Sequence, residues 1–227
     1  MCNAPHVNFF LGLIRFWESD GHTIVITTRP LSKTPELLAK TGLGYKVVGR
    51  HYGKNSFLKI IGFPIRCFQL WFYLRSLRID RACSQSSFYS PIVSRLLGVK
   101  CLYTNDNEFA LGNFFAFLFS DKVVLPSALS DWVKNKPVLG QKLFYPGVKE
   151  GIYLHGKFRP KRKGPKGDKK LIYFRPEPWS AQYHTKAGCE FIDLLDQLLI
   201  DFRVKLIPRS KEQSLFFGQL IKRGLVI

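Results

Sequence analysis

Two short runs place side chains able to do acid–base or hydrogen-bonding chemistry in close succession. Asn105-Asp106-Asn107-Glu108 sets two carboxylates and two carboxamides in consecutive positions, and a carboxylate held beside a hydroxyl can take its proton as a general base. Ser84-Gln85-Ser86-Ser87 collects three hydroxyls in four residues. A third polar cluster, Asn3-Ala4-Pro5-His6-Val7-Asn8, runs straight into the apolar stretch Phe9-Phe10-Leu11-Gly12-Leu13-Ile14. The start of a helix holds anions, because its backbone N–H groups are free and the macrodipole is positive there. Pro5 suits a first helical turn and Asn3 suits the cap. Taken alone, this run fits an ordinary capped helix better than a ligand loop.

The elements that must position these runs alternate between strand and helix. A helix from Pro5 to about Glu18 ends at Asp20-Gly21, and the β-branched run His22 to Thr28 reads as a buried strand. A short helix, Glu36 to Lys40, leads to a strand over Tyr45 to Gly49, and a long helix follows from about Ser56 to Arg78 with Pro64 inside it. Ile79 to Ser84 is a strand that empties into the serine run, and Phe88 to Leu97 is a helix stopped by Gly98. Lys100 to Thr104 is the strand that delivers Asn105 to Glu108, followed by a helix from about Phe109 to Phe119. Asp121 to Leu125, a helix over Leu129 to Lys136 and the strand and turn Lys142 to Gly147 complete the pattern. Such spacing marks parallel βαβ units, in which ligands bind at the carboxyl ends of the strands. Both the serine run and the carboxylate run fall at that edge.

From Lys157 to Lys170 eight Lys or Arg face Asp168 alone, interrupted by prolines and glycines. That is linker or loop composition, with neither aromatic interleaving nor a nucleic-acid motif, so no specific nucleic-acid partner is expected. A second α/β pattern begins after it: a strand over Leu171 to Phe174, helices near Ala187 to Leu199 and Glu212 to Lys222, and a strand over Val204 to Ile207. The expected domains are 1–150, a basic linker over 151–170, and 171–227.

The hydrophobic share of 46% is that of a globular chain and excludes wholesale disorder. A net charge of +19 implies attraction to polyanions, whether a membrane surface, nucleic acid or phosphorylated substrates. The long helix mixes Phe57, Ile61, Phe68, Trp71 and Phe72 with Lys59, Arg66, Arg75 and Arg78. Such a helix could lie on an anionic bilayer, but core packing with solvated cations accounts for the pattern too and is the favoured expectation. The five cysteines lack metal-ligand spacing, which argues for reduced thiols, and no apolar run is long enough to span a bilayer. A cytoplasmic protein, at most peripheral at the inner membrane face, is expected.

The runs Pro5 to Phe10, Ser84 to Pro91, Thr104 to Glu108, Tyr145 to Glu150, Tyr173 to Pro178 and Pro208-Arg209 resemble, in order, the family called domain of unknown function 354. That family is similar to the glycosyltransferase-B superfamily and to the non-hydrolysing UDP-N-acetylglucosamine 2-epimerases. The resemblance implies an α/β fold of two doubly wound Rossmann-like domains, with the acceptor on the amino-terminal side and a nucleotide-sugar donor between the domains. Against that pattern a first strand ahead of Asn3 is missing, and so is the latter part of the second domain with its glycine-rich nucleotide loop. A central strand left out would leave two neighbours with unpaired edges and a marginally stable chain.

Carried onto this sequence, the resemblance places Glu108 as catalytic base with Asp106 as its rival, because in the 2-epimerase loop a glutamate opens the following helix while Asp106 is better spaced to cap it. Asn3, His6, Asn8, Ser84, Ser86, Ser87, Asn105, Asn107 and Glu150 are implied on the substrate side. Arg175, Glu177 and Arg209 are implied on the donor side, the two arginines neutralising a leaving diphosphate. No cofactor beyond the nucleotide-sugar substrate is expected, and no metal. Sugar transfer is the leading expectation; 2-epimerisation of a nucleotide sugar and a non-catalytic remnant that binds polyanions are the alternatives.

Overall fold

A computed structural model describes residues 1, 3–31, 33–50, 56–110, 112–154, 169–176, 179 and 190–218. The chain divides into two compact units, Met1–Phe158 and Arg159–Ile227. The basic stretch 155–168 lies outside the described residues, as does the final run 219–227.

The first unit is built on a four-stranded parallel sheet in sequential order, β3 (Arg81–Gln85), β4 (Lys100–Thr104), β5 (Lys122–Pro126) and β6 (Gln141–Tyr145). Parallel neighbours need crossovers, and α4 (Tyr89–Leu96), α5 (Asn113–Phe119) and α6 (Ser130–Lys134) supply them. Val123 and Leu125 of β5 are completely buried and pack with Tyr103, Ala116, Phe117 and Val133. Burial of each large apolar side chain contributes about 1.5–3 kcal/mol. This core holds the middle of the sheet rigid beneath its carboxyl edge.

Ahead of it come α1 (Pro5–Ser19), β1 (Thr27–Thr28), α2 (Thr34–Lys40), β2 (Lys46–Val47) and α3 (Ser56–Leu74). Val7, Phe10 and Ile14 recur on one face of α1 at helical spacing and are buried with Ile26 and Leu38. Pro5 does open α1, but the cap position falls on Ala4 and no side chain caps the helix. The expected cap, Asn3, instead uses its backbone carbonyl, which accepts the His6 N–H in a tight turn of 3.0 Å.

The strand expected over His22 to Thr28 is laddered only at Thr27 and Thr28, against Lys46 and Val47. Its carbonyls at Ile26 and Thr28 take the N–H groups of Lys46 and Val48, which leaves Thr27 turned to the opposite edge, where its carbonyl accepts the Met1 amine. Neither that edge of β1 nor the outer edge of β3 has a ladder partner among the described residues. Helix α7 (Gly151–Leu154), which the sequence reading did not foresee, closes the unit.

The second unit repeats the pattern with parallel β7 (Leu171–Phe174) and β8 (Arg203–Leu206), joined through α8 (Glu190–Asp201) and followed by α9 (Lys211–Gly218). Leu195, Val204, Leu206 and Phe217 form its core, with Phe174 and Trp179 packed against it.

Candidate active site

The carboxyl ends of β3 to β6 all point the same way, so Gln85-Ser86-Ser87, Asn105 to Glu108 and Lys149-Glu150 emerge along one edge. Asn105 ties this edge together. It is 1% exposed, and its Oδ1 accepts the backbone N–H of Asp106 at 2.9 Å, that of Asn107 at 3.2 Å and the Ser86 hydroxyl at 2.7 Å. Its Nδ2 donates to the Asn107 carbonyl at 3.0 Å and to Asn113 Oδ1. Asn113 in turn donates to the Asn107 carbonyl at 2.8 Å and accepts the Tyr103 hydroxyl at 3.1 Å. A side chain that satisfies local backbone groups competes with helix formation. The helix expected from Phe109 accordingly starts at Asn113, and Glu108 lies in the turn before it.

The loop shape decides where the two carboxylates go. Asp106 does not cap α5, and neither does any other side chain, since the cap position falls on Gly112. Asn107 Oδ1 instead accepts the Phe109 N–H at 3.0 Å, because an asparagine two residues ahead of an N–H closes a local turn. Asp106 is drawn across the edge instead: Oδ1 accepts Gln85 Nε2 at 2.9 Å and Oδ2 forms an ion pair with Lys149. Lys149 lies 4.0 Å from Glu150 as well. Glu108 is half-buried and has no hydrogen-bond partner among the described residues.

His6 is buried at the start of α1, while Asn8 on the same helix is exposed, as is Asn3. Residues two apart on a helix point about 200° apart, so one of the pair His6 and Asn8 must face out. Burial first, then the positive charges of the Met1 amine, Lys149 and Arg29, lower the His6 pKa from 6.5 to about 3. The imidazole is therefore neutral at physiological pH and its chemistry is hydrogen bonding. Lys149 thus acts on both His6 and Asp106, residues far apart in the sequence.

Ser86 holds a left-handed backbone, φ 48°, a conformation unusual outside glycine that concentrates at functional sites. Its neighbours Ser84 and Ser87 are buried, and Ser84 Oγ and Gln85 Oε1 have no hydrogen-bond partner among the described residues. Tyr145, the last residue of β6, brings a hydroxyl to the same edge. Burial, and then the negative charges of Asp106 and Glu150, raise its pKa. Gln85, Asn113, Tyr145 and Lys149 were not singled out from sequence. Lys149 did stand beside Glu150 at the same edge, which was the available signal.

In the second unit Arg209 follows β8 and donates its Nε to the Pro176 carbonyl at 2.8 Å, so it binds the loop after β7 to the loop after β8. Its own N–H donates to Gln213 Oε1 at 2.7 Å. Arg175 is exposed, and Glu177 lies outside the described residues. No group of three or more His, Cys, Asp or Glu able to hold a metal ion occurs among the described residues.

The sequence pattern of the family described as protein of unknown function DUF354 matches residues 1–222. The chain belongs to the DUF354 family. An uncharacterized protein of Methanocaldococcus jannaschii is 24% identical over 97% of this chain and 67% of its own length. Two solved glycosyltransferase structures resemble this DUF354 protein. MurG of Acinetobacter baumannii has a TM-score of 0.57 at 14% identity, covering 100% of this chain and 65% of that one. Spinosyn forosaminyltransferase SpnP has a TM-score of 0.55 at 12% identity, covering 92% and 64%. The DUF354 chain therefore has the mixed α/β, parallel-sheet fold of the glycosyltransferase-B type, and it spans just under two thirds of those two structures.

Proposed function

We propose that this protein acts in glycosyl transfer, moving a sugar from a nucleotide-sugar donor to an acceptor hydroxyl, with the carboxyl edge of the first unit as the acceptor side. The observation that supports this reading most is the division of labour between the two carboxylates. Asp106 has one oxygen on Gln85 and the other on Lys149, so both of its oxygens are already engaged in tying the edge together. Glu108, two residues further on, is half-buried and without a hydrogen-bond partner among the described residues. A carboxylate in that state can accept a proton from an attacking hydroxyl as bond formation begins.

In this reading Glu108 is the base. Asp106, held by Lys149, sets the shape and charge of the edge. Asn105 and Asn107 keep the loop rigid, while Ser84, Ser86, Ser87 and Glu150 line the acceptor side with His6. Asn3 and Asn8 face solvent on their own helix and contribute only if an acceptor extends to them. On the donor side Arg175 and Arg209 supply positive charge to a leaving diphosphate, and Glu177 is assigned to that side as well.

The test is a screen of nucleoside-diphosphate sugars for release of the nucleoside diphosphate, with and without sugar acceptors, followed by substitution. Glu108→Gln is expected to keep the melting temperature and donor binding while lowering turnover by about 10² to 10⁴-fold. Parental turnover in Glu108→Gln together with a dead Asp106→Asn would assign the base to Asp106. Conversion of a donor to its C2 epimer without acceptor would replace transfer by epimerisation.

A further inference from the structure

Helix α3 has two apolar faces, and the unit uses one. Cys67 and Leu70 are buried with Val48 and Val93, and Phe63 and Trp71 pack beside them. Arg66 also turns inward, where its guanidinium donates to the Val48 carbonyl and lies 5.0 Å from the Tyr89 ring. The other face carries Ile61, Ile65, Phe68 and Phe72 at three- to four-residue spacing, and these are 44%, 41%, 62% and 55% exposed. An amphipathic helix should bury its apolar stripe; here a second stripe stands in solvent, against the expectation that these aromatics fill the core.

Phe114 and Phe115 of α5 are exposed as well, but Phe115 meets α3 through Phe63, on the inward side of that helix, with ring centroids 6.1 Å apart, so they are not part of this stripe. Contiguous apolar surface like the α3 stripe marks an interaction site. Its chemistry is defined by the charges around it. Residues 56–79, and the sequences of α4 and α5, contain no Asp or Glu, whereas Arg75 and Arg78 follow the stripe and Arg95 sits on α4. The Arg75 guanidinium lies over the Phe72 ring at 4.4 Å and the Trp71 ring at 5.0 Å, so cation and aromatic surface are presented together.

We propose that this face of α3 seats the protein on an anionic phospholipid surface. A second copy docked through the same face would bring Arg75 and Arg78 no carboxylate from residues 56–79, which hold none. A bilayer interface offers an acyl boundary for the phenylalanines and phosphates for the arginines at once. The net charge of +19 adds long-range attraction of the same sign. No described helix is long and apolar enough to cross the bilayer, so the contact is one of lying on the surface. This inference stands on the α3 face alone and does not depend on the glycosyl-transfer reading.

Sedimentation with vesicles tests it, using phosphatidylcholine alone against phosphatidylcholine mixed with phosphatidylglycerol. The protein should bind the anionic vesicles and be released by salt, and Phe68→Ser with Phe72→Ser should lower partitioning by about tenfold with an unchanged melting temperature. Arg75→Glu should weaken binding as well, whereas Leu215→Ser, an exposed apolar change in the second unit, should leave it intact. Equal partitioning onto both kinds of vesicle overturns the proposal. So does anionic binding that survives the double substitution, since net charge alone would then account for it. A concentration-dependent dimer that the double substitution abolishes would assign the face to a second copy.

Discussion

His6 places an imidazole where protonation costs stability. The unfolded chain takes up a proton near pH 6.5, while the folded site resists it down to about 3. Its contribution is therefore fully present above pH 6.5 and is lost as the pH falls toward 3, at up to about 1.4 kcal/mol per pH unit. Urea unfolding of wild type and His6→Gln between about pH 7 and 4 should give curves that converge as the pH drops, because the variant lacks this slope. Parallel curves would show that His6 keeps an ordinary pKa. The same reasoning separates the two carboxylates of the loop. Their sequence positions are equivalent in type, but only Asp106 meets Gln85 and Lys149, so replacing Glu108 should alter rate and leave folding intact.

At the scale of elements, two glycines make opposite predictions. Gly140 stands at the entry to β6, where an added Cβ would fall 2.2 Å from the Asp121 carbonyl oxygen, a backbone atom that cannot rotate away. The Gln141 N–H binds that same carbonyl at 2.8 Å. Gly140→Ala should therefore part the first rungs of β5 and β6 and destabilise by about 1–3 kcal/mol or more. Gly12 lies inside α1 with nothing within 4 Å of the added carbon, so Gly12→Ala should stabilise by about 0.5–1 kcal/mol. Denaturant midpoints of the two variants, moving in opposite directions, check both. The element boundaries follow the same local logic. β4 was legible to the residue because its short run Lys100 to Thr104 is bounded by Gly98 on one side and the polar run from Asn105 on the other. The start of α5 was not, because Asn105 and Asn113 satisfy the backbone groups that a longer helix would have used.

Over the whole molecule, positive charge outnumbers negative by more than two to one. The chain carries 35 Lys and Arg against 16 Asp and Glu, and the Lys or Arg ion pairs among the described residues all involve Lys149. Like charges at this density oppose the compact state, and salt screens them over about 10 Å at 0.1 M. The melting temperature should rise by several degrees between about 0.02 and 0.3 M sodium chloride, as calorimetry would show. A fall would mean that attractive pairs dominate.

The sequence by itself determined the alternation of strands and helices, the edge to which the serine and carboxylate runs are delivered, and membership of the family. Each of these rests on local periodicity or on short motifs, which tertiary context does not change. Tertiary structure alone decided that Asp106 pairs with a lysine 43 residues away, that His6 is buried and neutral, and that one stripe of α3 faces solvent. A helical pattern states which side chains share a face. It does not state what, if anything, covers that face, because covering depends on how many helices pack over the sheet and where, a property of the assembled layers.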